Sequence, residues 1–285
     1  MSEEDNRVMK ANSMDMSEIT FSEVKTLKNG GKTIWVNYND HSIFLQTPEL
    51  EVPFDSGNFY PNDKNESSGK YAVKVSLKGH ESDTGTKEFF DAMMKMDEML
   101  KEAGMANSVP WFKKKTMTMD AIENVYTPMI KLSTDQETGE PNGKYPPGFT
   151  FKIIQYDGKV QCKCFKHGEK TPLNTDDEDK DDHVLLGINI PFEERMSRKH
   201  EGIFKKGTKV KMVLRCKGIW ITNGNYGCTW SAEQVRIKTP AGFSDYAFLD
   251  DTDEEEQGEK IEGNYVDSSD DDEGAGLSRQ VSRKQ

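Results

Sequence analysis

The most regular pattern of charged side chains lies in residues 209–217, where cations alternate with apolar residues. The cations are Lys209, Lys211, Arg215 and Lys217. Because successive side chains of a β-strand point to opposite faces of the sheet, these four are expected on one face. A row of cations can bind a polyanion, since each phosphate contact releases condensed counterions. Lysine is also common on exposed strand edges, so one strand alone does not decide between these interpretations.

Two further predicted strands place their cations on one side in the same way. These cations are Lys70, Lys74, Lys78, Lys159 and Lys163. The alternate positions of the two runs carry tyrosine, valine, leucine and cysteine, which are typical of a buried face. Three strands with the same pattern favour a basic sheet surface over an incidental row of solvated lysines.

Aromatic residues indicate which polyanion such a surface would suit. They lie in predicted strands or beside basic runs: Trp35, Tyr38, Trp111, Phe112, Trp220, Tyr226 and Trp230. Binding of single strands without sequence preference combines a basic groove with rings on which bases stack, at ~1–3 kcal/mol per base. In residues 111–115 two rings directly precede three lysines, so Trp111 is a better candidate for a ligand contact than Trp230. Trp230 lies on a predicted hairpin strand and is expected in the core.

The sequence therefore predicts an interface for single-stranded nucleic acid. Its candidate residues are Trp35, Lys70, Lys74, Lys78, Trp111, Phe112, Lys113, Lys114, Lys115, Lys159, Lys163, Lys209, Lys211, Arg215, Lys217, Trp220 and Tyr226. Duplex readers usually place a helix in the major groove, but the one long predicted helix carries five acidic residues. RNA is an alternative ligand, because no feature of the sequence reads a 2′-hydroxyl group.

The elements that position these residues are mostly strands. Three hairpins are predicted, at 33–46 around Asn39-Asp40, at 149–165 around Asp157-Gly158, and at 208–238 around Asn223-Gly224. Residues 86–103 instead repeat apolar side chains at helical spacing, with Gly104 where a helix C-cap belongs, and residues 119–126 suit a short helix. The sequence predicts six to eight strands and a mainly β sandwich or partly open barrel with an inserted helix.

Charge divides the chain into a basic body and acidic appendages. Residues 250–273 carry thirteen acids and one lysine, a net −12 that equals the formal charge of the whole chain. Residues 1–23 carry −4, residues 176–182 carry −5 and residues 274–285 carry +3, which leaves +6 on the remainder. Such charge blocks are typical of solvated tails that interact with a partner. We expect a disordered N-terminus at 1–23, one domain at 24–249 with an acidic loop at 176–182, and a disordered tail at 250–285.

The sequence lacks the residues that several classes of function require. Residues 29–33 resemble a phosphate-binding loop, but the glycine required five positions before Gly31 is Thr26. The histidines are scattered, and Cys162 and Cys164 sit at strand spacing, so they are expected to be buried thiols and not zinc ligands. We expect no catalytic constellation, no enzymatic activity, no metal and no cofactor. An intracellular location is expected, since the first residues lack an apolar signal region and no window suits a membrane span.

The block 216–235 resembles a hairpin of a known family. In order it contains a basic strand, Gly218-Ile219-Trp220, a glycine turn, Tyr226-Gly227, Trp230 and Gln234. This order is similar to the C-terminal hairpin of the replication single-stranded DNA-binding proteins of nucleocytoplasmic large DNA viruses, which resemble the T-odd phage single-stranded DNA-binding protein. Residues 144–152 and the helix after Gly79 fit the same pattern, so the resemblance covers most of 70–238.

The resemblance implies a fold, a role and a location. It implies an OB-fold, a five-stranded Greek-key barrel with a helix between strands, acting in DNA replication, recombination or repair in a viral replication compartment of cytoplasm or nucleus. It also implies an acidic C-terminal tail that competes with DNA for the basic groove and docks replication proteins such as a polymerase or helicase. The phage tail ends in acids and an aromatic residue, whereas here Phe243, Tyr246 and Phe248 precede the acids and 277–285 follow them.

Tail competition also has a physical basis in this sequence. A segment of net −12 tethered to a basic body has a high effective concentration there, and it mimics polyphosphate. An alternative of a different class is an acidic-tailed chaperone or scaffold for basic proteins, in which the tail is the active part. A second copy of the chain is a further candidate partner, and no membrane partner is expected.

Overall fold

The computed structural model describes residues 7–54, 70–156, 159–173 and 203–239. The predicted acidic loop at 176–182 and the tail at 250–285 lie outside these residues, as do Met1 to Asn6. All of the described residues belong to one compact unit. Within them, α1 (Thr84–Ala106) and the shorter helices all fall below the length or apolarity that crossing a bilayer requires.

The described chain is mainly β, as the sequence predicts, but its strands are shorter and more numerous than expected. Eight strands precede residue 55: β1 (Val8–Lys10), β2 (Ile19–Phe21), β3 (Lys25–Thr26), β4 (Lys32–Ile34), β5 (Val36–Tyr38), β6 (His41–Ser42), β7 (Phe44–Gln46) and β8 (Leu50–Glu51). Eight more follow: β9 (Lys70–Ser76), β10 (Tyr126–Thr127), β11 (Ile130–Lys131), β12 (Gly148–Tyr156), β13 (Lys159–Val160), β14 (Lys163–Lys166), β15 (Lys209–Thr222) and β16 (Asn225–Lys238). Two further α-helices are α2 (Ser108–Phe112) and α3 (Met119–Glu123).

Five strands pair in a closed circuit. The strand β15 pairs with β8, β8 pairs with β9, β9 pairs with β12, and β12 pairs with β16, which pairs with β15 again. The links β8–β9 and β12–β16 consist of a single residue pair each, whereas β15 and β16 pair along almost their whole length. Side chains at alternate positions, such as Val73, Phe151 and Leu214, are fully buried, so the circuit encloses the core.

The three predicted hairpins are confirmed. The strands β5 and β6 pair around Asn39 and Asp40, both of which have positive φ. The strands β15 and β16 pair up to Thr222 and Asn225, around a turn in which Gly224 has φ +82°. The strands β12 and β13 also pair, although their turn at 157–158 lies outside the described residues.

The long helix α1 confirms the predicted helix and extends it at both ends. Asp83 caps its N-terminus by accepting from the backbone N–H of Thr86 at 2.8 Å. The side chains of Phe89, Met93, Met96 and Leu100 are fully buried, so the apolar stripe faces the core.

The glycine expected to cap this helix has a different role. The helix continues past Gly104 to Ala106, and a Cβ atom on Gly104 would lie 2.9 Å from Cζ of Tyr226. The glycine therefore allows the Tyr226 ring to approach the helix backbone.

The N-terminal segment differs from the prediction that residues 1–23 are disordered. Residues 7–23 contain β1, β2 and two short 3-10 helices, and β1 lies parallel to β7. Ala11, Met14 and Ile19 are buried in the core. Because most residues of this segment are polar, its sequence did not indicate that these three side chains pack into the core. The folded sheet is what provides the apolar surface that they contact.

Candidate nucleic-acid interface

Five strands lie side by side in the order β14, β16, β15, β7 and β1. Because residues paired across a ladder point to the same side of the sheet, the pairing register shows which side chains share a face. In β15, the even positions from Val210 to Cys216 are buried, while the odd positions from Lys209 to Lys217 are half-buried or exposed. We call the side that carries these odd positions the outer face.

Two adjacent rows of paired residues form the middle of the outer face. One row joins Phe165 of β14, Arg236 of β16 and Lys211 of β15. The next row, two residues along the strands, consists of Lys163, Gln234, Val213, Gln46 and Lys10. Each row therefore takes its side chains from at least three strands.

The structure brings five of the predicted cations onto this face and adds others. Lys163, Lys209, Lys211, Arg215 and Lys217 are the predicted ones. The register adds Lys10, Arg236 and Lys238, since Lys238 pairs with Lys209. The two additions on β16 alternate with Val235 and Ile237, both buried, so the same period-2 signal in the sequence could have found them.

Two surface depressions on the outer face share lining residues, and together we call them the groove. The first, of about 300 Å³, is lined by Gln46, Phe165, Glu169, Lys170, Lys211, Met212, Val213, Gln234 and Arg236. The second, of about 560 Å³, shares Gln46 and Lys211 with the first and adds Lys10, Lys78 and Lys209. The predicted cation Lys78 thus joins the others although it follows a different strand, β9.

The first depression is the more cationic part of the groove. Three cations line it against the single carboxylate of Glu169. In the second depression Glu49, Asp83 and Glu88 offset four lysines, and Glu49 lies 3.7 Å from Nζ of Lys209. We therefore place the strongest attraction for a polyanion at the first depression.

Neighbouring groups affect the position or the pKa of two cations of the outer face. The guanidinium carbon of Arg215 lies 5.6 Å from the ring centroid of Phe44, within the range of a cation–π interaction. Partial burial, followed by the charge of Arg215, lowers the pKa of Lys217 from its ordinary value, and Glu233 opposes this shift. Both side chains therefore sit closer to the sheet than a freely solvated lysine would.

A bulge near the middle of β15 changes the character of the outer face from basic to aromatic. The register with β16 shifts between Cys216 and Gly218, and Gly218 has φ +90°. Beyond the bulge, half-buried Trp220 lies on the outer side with its Cζ2 atom 3.0 Å from the Cβ position of Gly227. Trp35 is 48% exposed, so both predicted tryptophans are accessible near this end of β15.

The aromatic residues at 111–112 and Tyr226 do not lie where the sequence suggested. Trp111 is 2% exposed and Tyr226 is fully buried, and their ring centroids lie 6.2 Å apart. Phe112 is half-buried, with its centroid 5.1 Å from that of Tyr226. The burial of Trp111 and Tyr226 contradicts the expectation that these two rings stack on bases, whereas a contact of Phe112 with nucleic acid stays a prediction. The short helix α2 needs an apolar face, and its two rings supply that face to the core. Trp230 is buried as predicted, and its indole N–H donates to Sδ of Met129 at 3.0 Å.

The remaining predicted cations are spread over other surfaces. Lys113, Lys114 and Lys115 are exposed, and Lys114 lines a depression of about 370 Å³ at the hairpin-turn end of β15. Lys74 is exposed on β9 with its Nζ 5.7 Å from the Phe54 ring, and it does not line the groove. The backbones of Lys70 and Lys159 lie in β9 and β13, but their side chains are outside the described part of the structure.

The cysteines are free thiols, and Cys162 and Cys164 are buried as predicted. The Sγ atoms of Cys216 and Cys228 lie 3.5 Å apart. Within the described ranges, no three histidine, cysteine or carboxylate side chains come close enough to hold a metal ion.

The sequence matches no protein-family model and no curated protein. Among solved structures, the chain is similar to the single-stranded DNA-binding protein from bacteriophage Enc34 in complex with ssDNA, with 9% identity and a TM-score of 0.39 over 78% of this chain and 97% of that one. It is also similar to gp2.5, a single-stranded DNA binding protein encoded by bacteriophage T7, with 15% identity and a TM-score of 0.34 over 73% of this chain and 98% of that one. Both identities and both TM-scores are too low for either likeness to say what this chain binds.

Proposed function

We propose that the protein is a non-enzymatic binder of single-stranded DNA whose strand lies along the groove of the outer face. The observation that carries the proposal is the row of Phe165, Arg236 and Lys211, in which three strands place a ring and two cations side by side. Cations for the phosphates and rings for the bases are what binding of a single strand requires.

The shape of the surface favours an unpaired strand over a duplex. From Lys209 to Trp220 the outer face of β15 extends about 36 Å at ~3.3 Å per residue, and it passes from cations to the half-buried ring of Trp220. The long helix α1 carries acidic side chains such as Glu98 and Glu102 on its exposed side, which suits no major groove. The closed circuit of five strands with α1 between β9 and β12 also fits the OB-fold that the sequence resemblance implies, and that fold commonly binds single strands.

In this proposal the acidic tail regulates the interface. Residues 250–273, with a net charge of −12, compete with the nucleic acid for the cations of the groove. Because the tail is covalently attached, its effective concentration exceeds that of free competitors. Displaced from the groove, the tail is available to dock replication proteins, in a role in DNA replication, recombination or repair.

The direct test is a titration of the full chain with a fluorescently labelled dT oligomer at several salt concentrations. With about four phosphate contacts, the logarithm of the binding constant should fall with the logarithm of salt at a slope of roughly −3. The fluorescence of Trp35 and Trp220 should be quenched on binding. A duplex of the same length should bind more weakly, and tighter binding to the duplex would refute the proposal.

Two further measurements distinguish DNA binding from the RNA-binding and chaperone alternatives. An rU oligomer of equal length measures the preference between DNA and RNA, and equal affinity would widen the proposed ligand to both. Deletion of residues 250–285 should tighten binding of dT if the tail competes. A tail-deleted chain that loses the ability to hold basic proteins and gains no affinity for dT would instead support the chaperone alternative.

A further inference from the structure

The floor of the first depression places two amides on either side of an apolar side chain. Val213 pairs with Gln46 of β7 on one side and with Gln234 of β16 on the other. Since neighbouring strands lie about 4.8 Å apart, the two glutamines are about 10 Å apart across the valine. An amide carries both a donor and an acceptor, so this floor can accept a flat molecule and hydrogen-bond its edges.

One wall of the depression is formed by Phe165 and the segment that follows it. Phe165 is half-buried and forms a β-bridge with Pro172. The backbone N–H of Leu173 donates to the carbonyl of Cys164 at 2.7 Å, and that of Glu169 donates to Lys166 at 3.1 Å. These contacts fold the segment back and hold Glu169 and Lys170 at the rim.

The row that contains Phe165 supplies two cations to one side of this floor, and Arg215 follows Val213 on the other side. Lys211 and Arg236 lie about 7 Å along the strands from Val213 and Gln234, in the same row as Phe165. An inorganic anion can bind these cations and accept from an amide N–H group, but it leaves the ring unused. A nucleotide uses all three groups, since it joins a flat base with polar edges to a charged phosphate.

We infer that this depression, the base pocket, holds one unpaired nucleobase of the bound strand. In it the Phe165 ring contacts the face of the base, the side-chain amides of Gln46 and Gln234 hydrogen-bond its edge, and Lys211 and Arg236 bind the flanking phosphates. The inference rests on the proposed function and goes beyond it, because one position of an otherwise sequence-tolerant strand is then read by hydrogen bonds.

The first experiment compares a dT 12-mer with an abasic 12-mer of deoxyribose phosphate, using the full chain at one salt concentration. The wild-type chain should bind the dT oligomer at least tenfold more tightly. Phe165→Leu should weaken binding of dT about tenfold and leave binding of the abasic oligomer unchanged. The matched control is Phe54→Leu, since Phe54 is 62% exposed and lies outside the pocket, and it should change neither affinity.

The second experiment tests the amides. The ratios of affinity among dT, dC and dA 12-mers are measured for the wild-type chain and for the double variant Gln46→Ala, Gln234→Ala. The double variant should change the wild-type ratios at least threefold, while the control Gln136→Ala in an exposed turn should leave them unchanged. Base stacking within the free oligomers affects the wild-type chain and the variant equally. Comparing the affinity ratios of the two chains therefore removes its contribution.

The outcomes separate the two proposals. If the dT and abasic oligomers bind equally tightly, the base pocket is wrong and binding through the cationic rows stands. If base ratios survive in the glutamine double variant, the amides do not read the base. If neither oligomer binds, the proposed function and the base pocket both fail.

Discussion

Two regions of this protein place aromatic rings beside cations, and they do so in opposite ways. In residues 111–115 the rings and lysines are neighbours along the chain, but Trp111 is buried while Lys113, Lys114 and Lys115 are exposed. On the outer face, Phe165 and Arg236 are 71 positions apart in sequence and are brought together by strand pairing. Adjacency in sequence therefore does not make a binding surface, because helix and strand geometry decides which neighbours point the same way.

The largest effect should come from removal of the buried ring. Trp111→Ala leaves a cavity among Phe21, Phe112 and Tyr226 and should lower the free energy of unfolding by about 4 kcal/mol. Urea denaturation followed by circular dichroism measures this loss. Where the variant is still folded, its affinity for dT should be close to that of the wild type. A stable variant with lost binding would show that Trp111 contacts the ligand after all.

The bulge that turns the outer face from basic to aromatic depends on one glycine. Gly218→Ala combines a positive φ with a Cβ atom driven into the carbonyl of Ile34, and it should destabilise the fold by about 3 kcal/mol. Gly224→Ala is the matched control, since its φ is +82° and nothing lies within 4 Å of its Cβ position. It should cost about 1 kcal/mol. Equal losses of thermal stability in the two variants would argue against the close approach at Gly218.

Charge reversal compares the two regions directly. The double variant Lys211→Glu, Arg236→Glu should weaken binding of a dT oligomer about 100-fold and make the salt slope less steep. Lys113→Glu, Lys114→Glu changes the net charge by the same amount on exposed side chains outside the groove. This second pair should weaken binding less than fivefold. Equal losses would mean that only the total charge matters, and that the groove has no special role.

The exposed tryptophan beyond the bulge should give the smallest effect. Trp35→Ala removes a ring that is 48% exposed, so stability should change by less than about 1 kcal/mol. Affinity for dT should fall about tenfold if the strand continues past the bulge onto this ring. An oligomer long enough to reach Trp35 should bind the variant more weakly, and a shorter oligomer should bind both chains equally. If the substitution changes affinity at no oligomer length, the bound strand does not extend beyond Lys217.

A buried carboxylate provides a contact that no sequence pattern indicated. Asp97 on α1 is 2% exposed, and it accepts hydrogen bonds from the hydroxyl of Tyr126 and from the backbone N–H groups of Met129 and Ile130. Burial raises the pKa of Asp97, and these hydrogen bonds oppose the shift. In the sequence Asp97 is one of five acidic residues of the predicted helix. Only the tertiary packing shows that it is buried while the other four contact solvent.

Local order was predictable because its physical causes are local. Side chains alternate with period 2 in strands and with period 3.6 in helices, so the apolar stripes of α1 and β15 are visible in the sequence. Turns such as Asn223-Gly224 select positive φ whatever the rest of the chain does. The shared side of Lys209, Lys211, Arg215 and Lys217 follows from the same alternation.

The tertiary structure decided which strands are neighbours, and with that which side chains form the groove. Nothing in the sequence shows that β14 lies parallel to β16, or that β7 pairs with the other edge of β15. Those pairings place Phe165 next to Arg236 and Gln46 next to Val213, because long-range packing selects a register that local propensity cannot specify. Ring burial was decided in the same way, since a tryptophan followed by three lysines is equally compatible with core and surface until the surrounding elements are in place.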